Sequence, residues 1–475
     1  MISTSIAYFI FLAVTLLVFY ITPVKFRNYI LILASIVFYS YVRVSYLFII
    51  FSIIIVNYFI GIRIENSLNK KLRTYFLYFS LFLNIGILIY FKYWNFIIDT
   101  IFAIPGSAFF KNNLIINEIV LPLGLSYYIF QTIGYIFDVY RGSLKAEKDF
   151  SKFALFTLFF PKLLVGPIER AKNLFPQFNT EHPFYRSNIV EGCNRIIWGL
   201  FKKLVVADRI SIYVDAVYSN IPQHNSTTFY VATFLYPFQV YSDFSGYTDI
   251  AIGTAKLFGI DLIENFKRPL LAKNISDFWR RWHISLSSWV NDYIYTPIVL
   301  KRRDWGNWGV FYALVLSFTV IGIWHGASWN FVIFGMLQAS AIMLEVLTTG
   351  VRKKISKIIP TIIYRNASIL LTFLFFTFSL IIFRTTSLTD AENILNIAFS
   401  NNGRLYIDQP STIIFILIGI VIILINDIRK ENHLIKHLVV NKENQMLHQM
   451  SYSIMLIYII LAGVFDGGQF IYFAF

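Results

Sequence analysis

The sequence predicts an all-α, polytopic integral membrane protein. Of its 475 residues, 57% are hydrophobic and only 14% are charged, whereas soluble domains carry about 25% charged residues. Apolar segments recur along the whole chain, and each has roughly the 17–25 residues that a spanning helix requires. We expect a single integral membrane domain over residues 1–475, with about 11–13 membrane helices plus re-entrant or interfacial helices.

The candidate spans follow from hydropathy, and the longer ones have room for two helices each. The first span has no basic residue before it and no small-residue cleavage site after it, so we expect an anchor rather than a removed signal peptide. The spans are 4–22, 28–42, 45–61, 74–92, 119–137, 190–217, 228–260, 309–347, 360–383, 411–427 and 450–474.

The charge balance fits a membrane protein rather than a nucleic-acid-binding one. The chain has 41 Lys+Arg against 26 Asp+Glu, a net charge of +15, and its basic residues collect between spans, as they do in cytoplasmic loops. We expect a multi-pass protein of the cell inner (cytoplasmic) membrane, surrounded by the lipid bilayer and without a nucleic-acid partner. Cys193 is the single cysteine, and no P-loop, dinucleotide-binding glycine pattern or HExxH motif is present, so we expect no metal site and no bound cofactor.

Three regions depart from the pattern of spanning helices. Residues 153–170 are short and interrupted by Pro and Gly, which indicates a re-entrant or interfacial segment. Residues 265–303 mix aromatic and charged residues, as a helix at the interface or inside the bundle does. Residues 388–410 are polar and predict an exposed loop with a short helix that begins at Thr389 or Asp390.

The segment SDFWRRWHISLSSWVNDYIY, Ser276 to Tyr295, predicts a helix with one packed face and one wet face. The packed face comprises Trp279, Trp282, Leu286, Trp289 and Tyr293, and the polar face comprises Ser276, Arg280, His283, Ser287 and Asn291. An arginine at the bilayer centre costs about 2.5–3.5 kcal/mol, so we expect Arg280 and Arg281 inside the bundle or at headgroup level. An interfacial helix with snorkelling arginines is the competing interpretation.

The segment VIGIWHGASWNF, Val320 to Phe331, holds one ionisable side chain, His325, within a long apolar run. A polar side chain at bilayer depth is costly and is therefore a candidate functional residue. Gly322 and Gly326 leave room for backbone or substrate, and desolvation keeps the imidazole neutral, as a general base must be. The alternative is a histidine that only hydrogen-bonds a neighbouring helix.

Two further segments place ionisable residues in apolar surroundings. In YSDFSGYTDIAIG, Tyr241 to Gly253, Asp243 could orient a basic partner or a histidine, while Asp249 could cap a helix. In VGPIER, Glu169 and Arg170 indicate a fixed ion pair or a headgroup contact.

The order of five motifs resembles the membrane-bound O-acyltransferase (MBOAT) family. The motifs are LPLGLSYYIFQTIGYIFDVYRG, FFPKLLVGPIER with NLFPQF, YSDFSGYTDIAIG, NFKRPLLAKNISDFWRRWHISLSSWVNDYIYTPI and GIWHGASWNFVIFG. The resemblance covers Leu121 to Gln338 and is closest to the bacterial branch with the alginate O-acetyltransferase membrane subunit and the peptidoglycan O-acetyltransferases.

The resemblance implies a ring of tilted helices around a thin central region with a tunnel. Residues 121–347 would form the catalytic core, between N-terminal helices in 1–120 and C-terminal helices in 348–475. The resemblance also implies that His325 of the WHG motif is the catalytic histidine and that His283 is a second one, close to it in space. We expect the residues that bind or orient substrate to be Asp243, Gln131, Asn330, Trp324, Arg280, Arg281 and Ser287.

The expected activity is O-acyl transfer with His325 as general base and acetyl as the acyl group. The donor would be a cytoplasmic thioester, acetyl-CoA or another acyl thioester, and the acceptor a hydroxyl of an extracytoplasmic polysaccharide, reached through a separate periplasmic acetyltransferase protein. One alternative is D-alanyl transfer from a carrier protein to teichoic acid. Another, from a different class, is a proton-coupled membrane transporter whose histidines relay protons.

Overall fold

The computed structural model describes residues 3–41, 43–103, 121–400, 402–431 and 445–465. All regular structure within these ranges is helical. The chain divides into two compact units, the first formed by Met1–Ile196 and Ile250–Ile263, the second by Ile197–Asp249 and Glu264–Phe475.

The helices within the described ranges are mostly regular, with wider π-helical stretches at Ile89–Tyr93, Phe201–Ala207 and Asn291–Tyr295. The α-helices are α1 (Ile6–Ile21), α2 (Arg27–Ser40), α3 (Ser45–Asn66), α4 (Lys70–Leu88), α5 (Trp94–Ile101), α6 (Leu125–Arg141), α7 (Phe150–Leu158), α8 (Phe160–Leu163), α9 (Ala171–Phe178), α10 (Arg186–Leu200), α11 (Asp208–Tyr218), α12 (Ser226–Leu257), α13 (Ile275–Arg281), α14 (Ile284–Val290), α15 (Thr296–Lys301), α16 (Asn307–His325), α17 (Trp329–Leu347), α18 (Thr349–Ile358), α19 (Thr361–Arg384), α20 (Leu388–Ser400), α21 (Pro410–Glu431) and α22 (Gln445–Ala462).

Six helical stretches of the described residues are long and apolar enough to cross a membrane, which confirms the all-α, multi-pass prediction. They are Ser45–Asn66, Lys70–Ile101, Asn307–His325, Trp329–Leu347, Thr361–Arg384 and Pro410–Glu431, and two shorter apolar helices are Ile6–Ile21 and Gln449–Ala462. Six is fewer than the expected number because other predicted spans, such as 190–217, fold as shorter or more polar helices. The start of the predicted span 119–137 and the end of 450–474 lie outside the described residues. The ring, the tunnel and the division into 1–120, 121–347 and 348–475 stay predictions.

A buried polar cluster joins three helices of the first unit. The side chain of Asn57 on α3 accepts hydrogen bonds from Ser80 at 2.7 Å and from Asn84 at 2.9 Å, both on α4. Thr132 on α6 donates to Asn84 at 3.3 Å. Because lipid offers apolar helices no hydrophobic reason to associate, such interhelical hydrogen bonds help to hold them together.

The interruption predicted over 153–170 is present in the first unit, as a break between α7 and α8. The freed backbone N–H of Phe160 donates to the hydroxyl of Ser35 at 3.0 Å, so the broken backbone is satisfied inside the protein. The ammonium of Lys162, which is fully buried, donates to the Phe156 carbonyl and to the Gln131 side chain, both at 2.6 Å. Glu169 is also fully buried and accepts from Asn173 at 2.8 Å, which is a structural contact and not a headgroup contact.

Close packing of α16 against α17 dominates the second unit. A Cβ at Gly322 would clash with the Phe331 carbonyl, and a Cβ at Gly335 would clash with the Phe318 carbonyl. Glycine at both positions therefore lets the two backbones touch, as small residues do where membrane helices pack.

The second unit does not contain the single helix predicted from Ser276 to Tyr295. Helix α13 ends at Arg281, His283 adopts the left-handed conformation with φ 43°, and α14 begins at Ile284. The five packed-face residues are all buried, as expected. The prediction of a common polar face is wrong, because the chain breaks at His283 and buries the His283 side chain, whereas Arg280 and Asn291 are exposed. The short helix expected near Thr389 is confirmed as α20.

Replacing Gly335 by alanine should destabilise the protein by about 1–3 kcal/mol, because the new methyl group meets main-chain atoms that cannot move aside. Thermal unfolding of the purified protein in detergent measures the effect as a lower midpoint. Gly86→Ala is the matched control, since a Cβ there has no atom within 4 Å among the described residues, and alanine favours a helix by up to about 1 kcal/mol. Equal midpoints for Gly335→Ala and the parent would contradict the close-packing argument.

Candidate active site

His325 lies at the last position of α16, where the chain turns back into α17. The turn is only Gly326 to Ser328, and the hydroxyl of Ser328 caps α17 by accepting from the Asn330 N–H at 3.3 Å. The His325 side chain is 2% exposed. The end of an apolar helix and a tight capped turn thus hold the imidazole inside the second unit.

The glycines around His325 serve the packing of the chain itself. The space beside Gly326 is filled by the ring of Phe331, and the space beside Gly322 by the Phe331 backbone. The expectation that Gly322 admits backbone is therefore confirmed. At Gly326 an aromatic ring from α17, and not backbone, occupies the space that a Cβ would take, and room for substrate there stays a prediction.

Aromatic rings surround the His325 imidazole. Its centroid is 5.1 Å from that of Trp324, 5.3 Å from Phe383 and 6.3 Å from Phe334. Phe383 is near the end of α19, and Asn330 fixes that end by donating to the Thr385 carbonyl at 2.8 Å. Asn330 therefore connects the start of α17 to the end of α19.

His283 lies between α13 and α14 and is fully buried. Its ring centroid is 4.7 Å from that of Phe244 on α12 and 5.2 Å from that of Trp324 on α16, both edge to face. Its Nδ1 lies 3.3 Å from the side-chain oxygen of Asn265. Burial lowers the pKa of His283, which is outside the six spanning stretches, to about 3, so the imidazole is neutral at physiological pH.

The two histidines predicted to work together therefore contact the same side chain. The indole of Trp324 packs against His325 and against His283. Two buried imidazoles on one indole, in aromatic surroundings, can exchange a proton with a bound substrate.

The two arginines of the FWRRWH segment have different surroundings. Arg280 has a side chain that is 73% exposed and reaches Asp277 only at 4.0 Å. Arg281 is mostly buried and forms ion pairs at 3.0 Å with both Asp277 and Glu431. These partners raise the pKa of Arg281 against the opposing effect of burial. Ser287, half-buried, donates its hydroxyl proton to the Trp282 carbonyl at 3.1 Å.

Asp243 and Gln131 belong to different units, and each has a lysine as partner. Asp243 pairs with Lys203 at 2.7 Å in the second unit, and the same ammonium pairs with Asp208 at 2.7 Å. Gln131 in the first unit accepts from Lys162. Asp249 was predicted as a possible helix cap. It lies inside α12 instead and pairs with Lys202.

Asn265 is a site residue that the sequence reasoning missed. It lies 18 positions before His283, in a segment without regular structure. Its only signal in the sequence is that it is an amide residue at the start of the NFKRP motif. Among the described residues, no group of three or more His, Cys, Asp or Glu side chains could hold a metal ion.

Comparison with known proteins shows which family the chain resembles. The family model of the membrane-bound O-acyltransferases matches residues 144–385. A probable alginate O-acetylase of Azotobacter vinelandii is 35% identical, over 72% of this chain and 68% of that protein. A peptidoglycan O-acetyltransferase of Helicobacter pylori is 31% identical, over 84% of this chain and 80% of that protein. A teichoic acid D-alanyltransferase of Bacillus subtilis is 30% identical, over 47% of this chain and 58% of that protein.

The matched region contains both buried histidines and the helices that carry them. Together with the extended similarity to the two O-acetylating relatives, it shows that this multi-pass membrane protein belongs to the membrane-bound O-acyltransferase family.

Proposed function

We propose that the protein transfers an acetyl group from cytoplasmic acetyl-CoA to a hydroxyl group on the outer side of the inner membrane. The observation that carries the proposal is the contact of two buried histidines with one indole, in a chain of an O-acyltransferase family. Acetyl is supported by the two relatives named for acetylation of alginate and of peptidoglycan. Those names also support a polysaccharide as the final acceptor.

In the proposed reaction, His325 acts as general base. The hydroxyl oxygen attacks the thioester carbonyl carbon while the imidazole takes the hydroxyl proton, and a tetrahedral intermediate forms. The carbon–sulfur bond then breaks, and the imidazolium returns its proton to the departing thiolate, so that ester and free CoA leave. Such a base commonly contributes about 10²–10⁴-fold in rate.

The other candidate residues support this step in different ways. His283 would position a substrate or help to carry the proton, and Trp324 would form the wall between the two imidazoles. Arg280 is the better arginine for donor phosphates, because its charge is exposed while that of Arg281 is balanced by two carboxylates. We assign Asn330 a supporting role through α19, and Ser287 a contact at the edge of the site.

Asp243 and Gln131 would act through lysines rather than on substrate directly, given the contacts they make. The final transfer to polysaccharide would be made by a separate extracytoplasmic protein that receives the acetyl group. The described residues support this division of work, because they form helices joined by short connections.

His325→Ala should reduce acetyl transfer by about 10²–10⁴-fold, because the attacking hydroxyl loses its base. The assay uses purified protein in nanodiscs, labelled acetyl-CoA and a candidate extracytoplasmic acceptor protein, and follows label and free thiol. His224→Ala is the control, because His224 packs on Tyr406 away from the site and its loss should leave the rate unchanged. A folded His325→Ala protein that transfers label at the parent rate would rule out the general-base role.

Cells without the protein should have less O-acetyl on a surface glycan, and the parent gene should restore it while the His325→Ala gene should not. Mild alkaline release of acetate from purified glycans measures this content. The same material is analysed for esterified D-alanine, because one relative is a teichoic acid D-alanyltransferase. If acetate is unchanged and D-alanine is lost, the transferred group is D-alanyl rather than acetyl. No change in either would contradict the proposed function.

Asp243→Asn should lower stability by up to about 3 kcal/mol, because the buried Lys203 charge loses one of its two carboxylates. The unfolding midpoint and the acetyl-transfer rate are measured on the same preparation. A normal midpoint with a large loss of rate would instead assign Asp243 a direct role on substrate or histidine.

A further inference from the structure

The segment that contains Asn265 and Lys267 pairs through its backbone with residues 281–284, where α13 ends and α14 begins, beside the candidate site. The N–H of Lys267 donates to the Arg281 carbonyl, and the N–H of Ile284 donates to the Asn265 carbonyl, both at 2.9 Å. The pairing explains why α13 stops and why His283 can hold a left-handed conformation, which is costly for a residue with a side chain. It also places the Asn265 side chain against His283.

The side-chain oxygen of Asn265 is the centre of a buried hydrogen-bond group. It accepts from the Ser285 N–H at 3.0 Å and from the Ser285 hydroxyl at 2.9 Å. It also lies 3.3 Å from Nδ1 of His283. The amide cannot be reversed, because its NH₂ group would then face the Ser285 N–H, donor against donor.

This orientation leaves the amide nitrogen of Asn265 buried, with no hydrogen-bond partner within the part of the chain that the structure describes. Native proteins avoid such groups, so one that persists calls for an explanation. The explanation here is that the oxygen, and not the nitrogen, is needed beside the imidazole.

The Ser285 hydroxyl also lies 3.5 Å from Nδ1, but it donates to the Asn265 oxygen at 2.9 Å, so the Asn265 oxygen decides the position of the imidazole proton. An unprotonated Nδ1 would bring its lone pair against the lone pairs of the Asn265 oxygen, whereas a protonated Nδ1 donates to that oxygen. The proton therefore resides on Nδ1, and Nε2 carries the lone pair. Nε2 is buried and has no hydrogen-bond partner among the described residues.

We propose that Asn265 is a positioning residue that fixes the Nδ1–H tautomer of His283 and so presents Nε2 as a hydrogen-bond acceptor for a substrate O–H or N–H group other than the attacking hydroxyl, whose proton goes to His325. The inference rests on the proposed function and narrows the part of His283 in it. A thioester carbonyl and an ionised phosphate have no proton to give to Nε2. His283 would thus contact neither the thioester carbonyl nor the phosphates of the donor.

The charged and titratable groups near His283 come from three elements packed against it. On α12 they are Asp243 and Tyr247, which come before and after Phe244 in the chain. On α16 the group is His325, which follows Trp324. On the paired segment they are Glu264, Lys267 and Arg268. Burial is the main cause that lowers the pKa of His283. A new negative charge at residue 265 would therefore act directly on this imidazole.

Asn265→Asp tests the proposal, because aspartate keeps the side-chain oxygen and the cap on α14 but adds a negative charge. The carboxylate favours the imidazolium and raises the pKa of His283. Because transfer needs neutral His283, the variant loses activity at a higher pH than the parent does when the pH is lowered. We expect the acid limb of the rate to move up by about 1–3 pH units. Thiol release from acetyl-CoA in nanodiscs, with the extracytoplasmic partner present, measures the profile.

Asn274→Asp is the matched control, because Asn274 caps α13 by accepting from the Asp277 N–H at 2.7 Å and its change should leave the acid limb in place. Equal acid limbs for Asn265→Asp and the parent would overturn the proposal. His283→Ala distinguishes a failure of the role of Asn265 from a failure of the proposed function. If it loses transfer while Asn265→Asp keeps the parent profile, the role of Asn265 fails and the proposed function stands.

A measurement on the unmodified protein does not depend on activity. Histidine ¹⁵N NMR, with His283 assigned by its absence in His283→Gln, distinguishes a protonated Nδ1 from a protonated Nε2. We expect the proton on Nδ1 at neutral pH, and a proton on Nε2 would overturn the proposal even if every variant behaved as expected.

Discussion

Backbone contact between α16 and α17 is the constraint on which the candidate site depends. Gly322 and Gly335 permit that contact, and the space beside Gly326 accepts the Phe331 ring. In a membrane, helices associate through tight packing rather than through exclusion of water. Because the two helices touch, the turn between them is short, and His325 is held at the point where the chain reverses.

The same packing gives the imidazole dry and aromatic surroundings. Asn330 in the first turn of α17 holds the end of α19 through Thr385, and Phe383 therefore stays against His325. Trp324 connects His325 to His283. In such a setting an uncompensated charge is expensive, so chemistry that begins and ends with neutral imidazoles is favoured.

Two buried lysines of the second unit are paired with carboxylates, and the pairs connect helices around the site. Lys203 lies between Asp243 and Asp208, and Lys202 pairs with Asp249. Both lysines are in the π-helical stretch Phe201–Ala207, and wider turns of this kind are frequent at functional sites. Removing one partner of a buried pair costs more than the pair itself contributes, because the remaining charge is left in a poor solvent.

Local patterns in the sequence predict the membrane-spanning character, the broken segment between α7 and α8, the start of α20 and the exceptional position of His325. These features depend on local hydropathy and on Pro, Gly and capping residues, which can be read within one or two helical turns. Long-range packing sets the break at His283, the position of the Phe331 ring beside Gly326 and the balance of Arg281 by Glu431. The partners of these residues are distant in sequence, with Glu431 lying 150 positions after Arg281, so packing and not periodicity selects them. The Asn265 amide beside His283 is the clearest case, since backbone pairing brings together these two residues, which lie 18 positions apart.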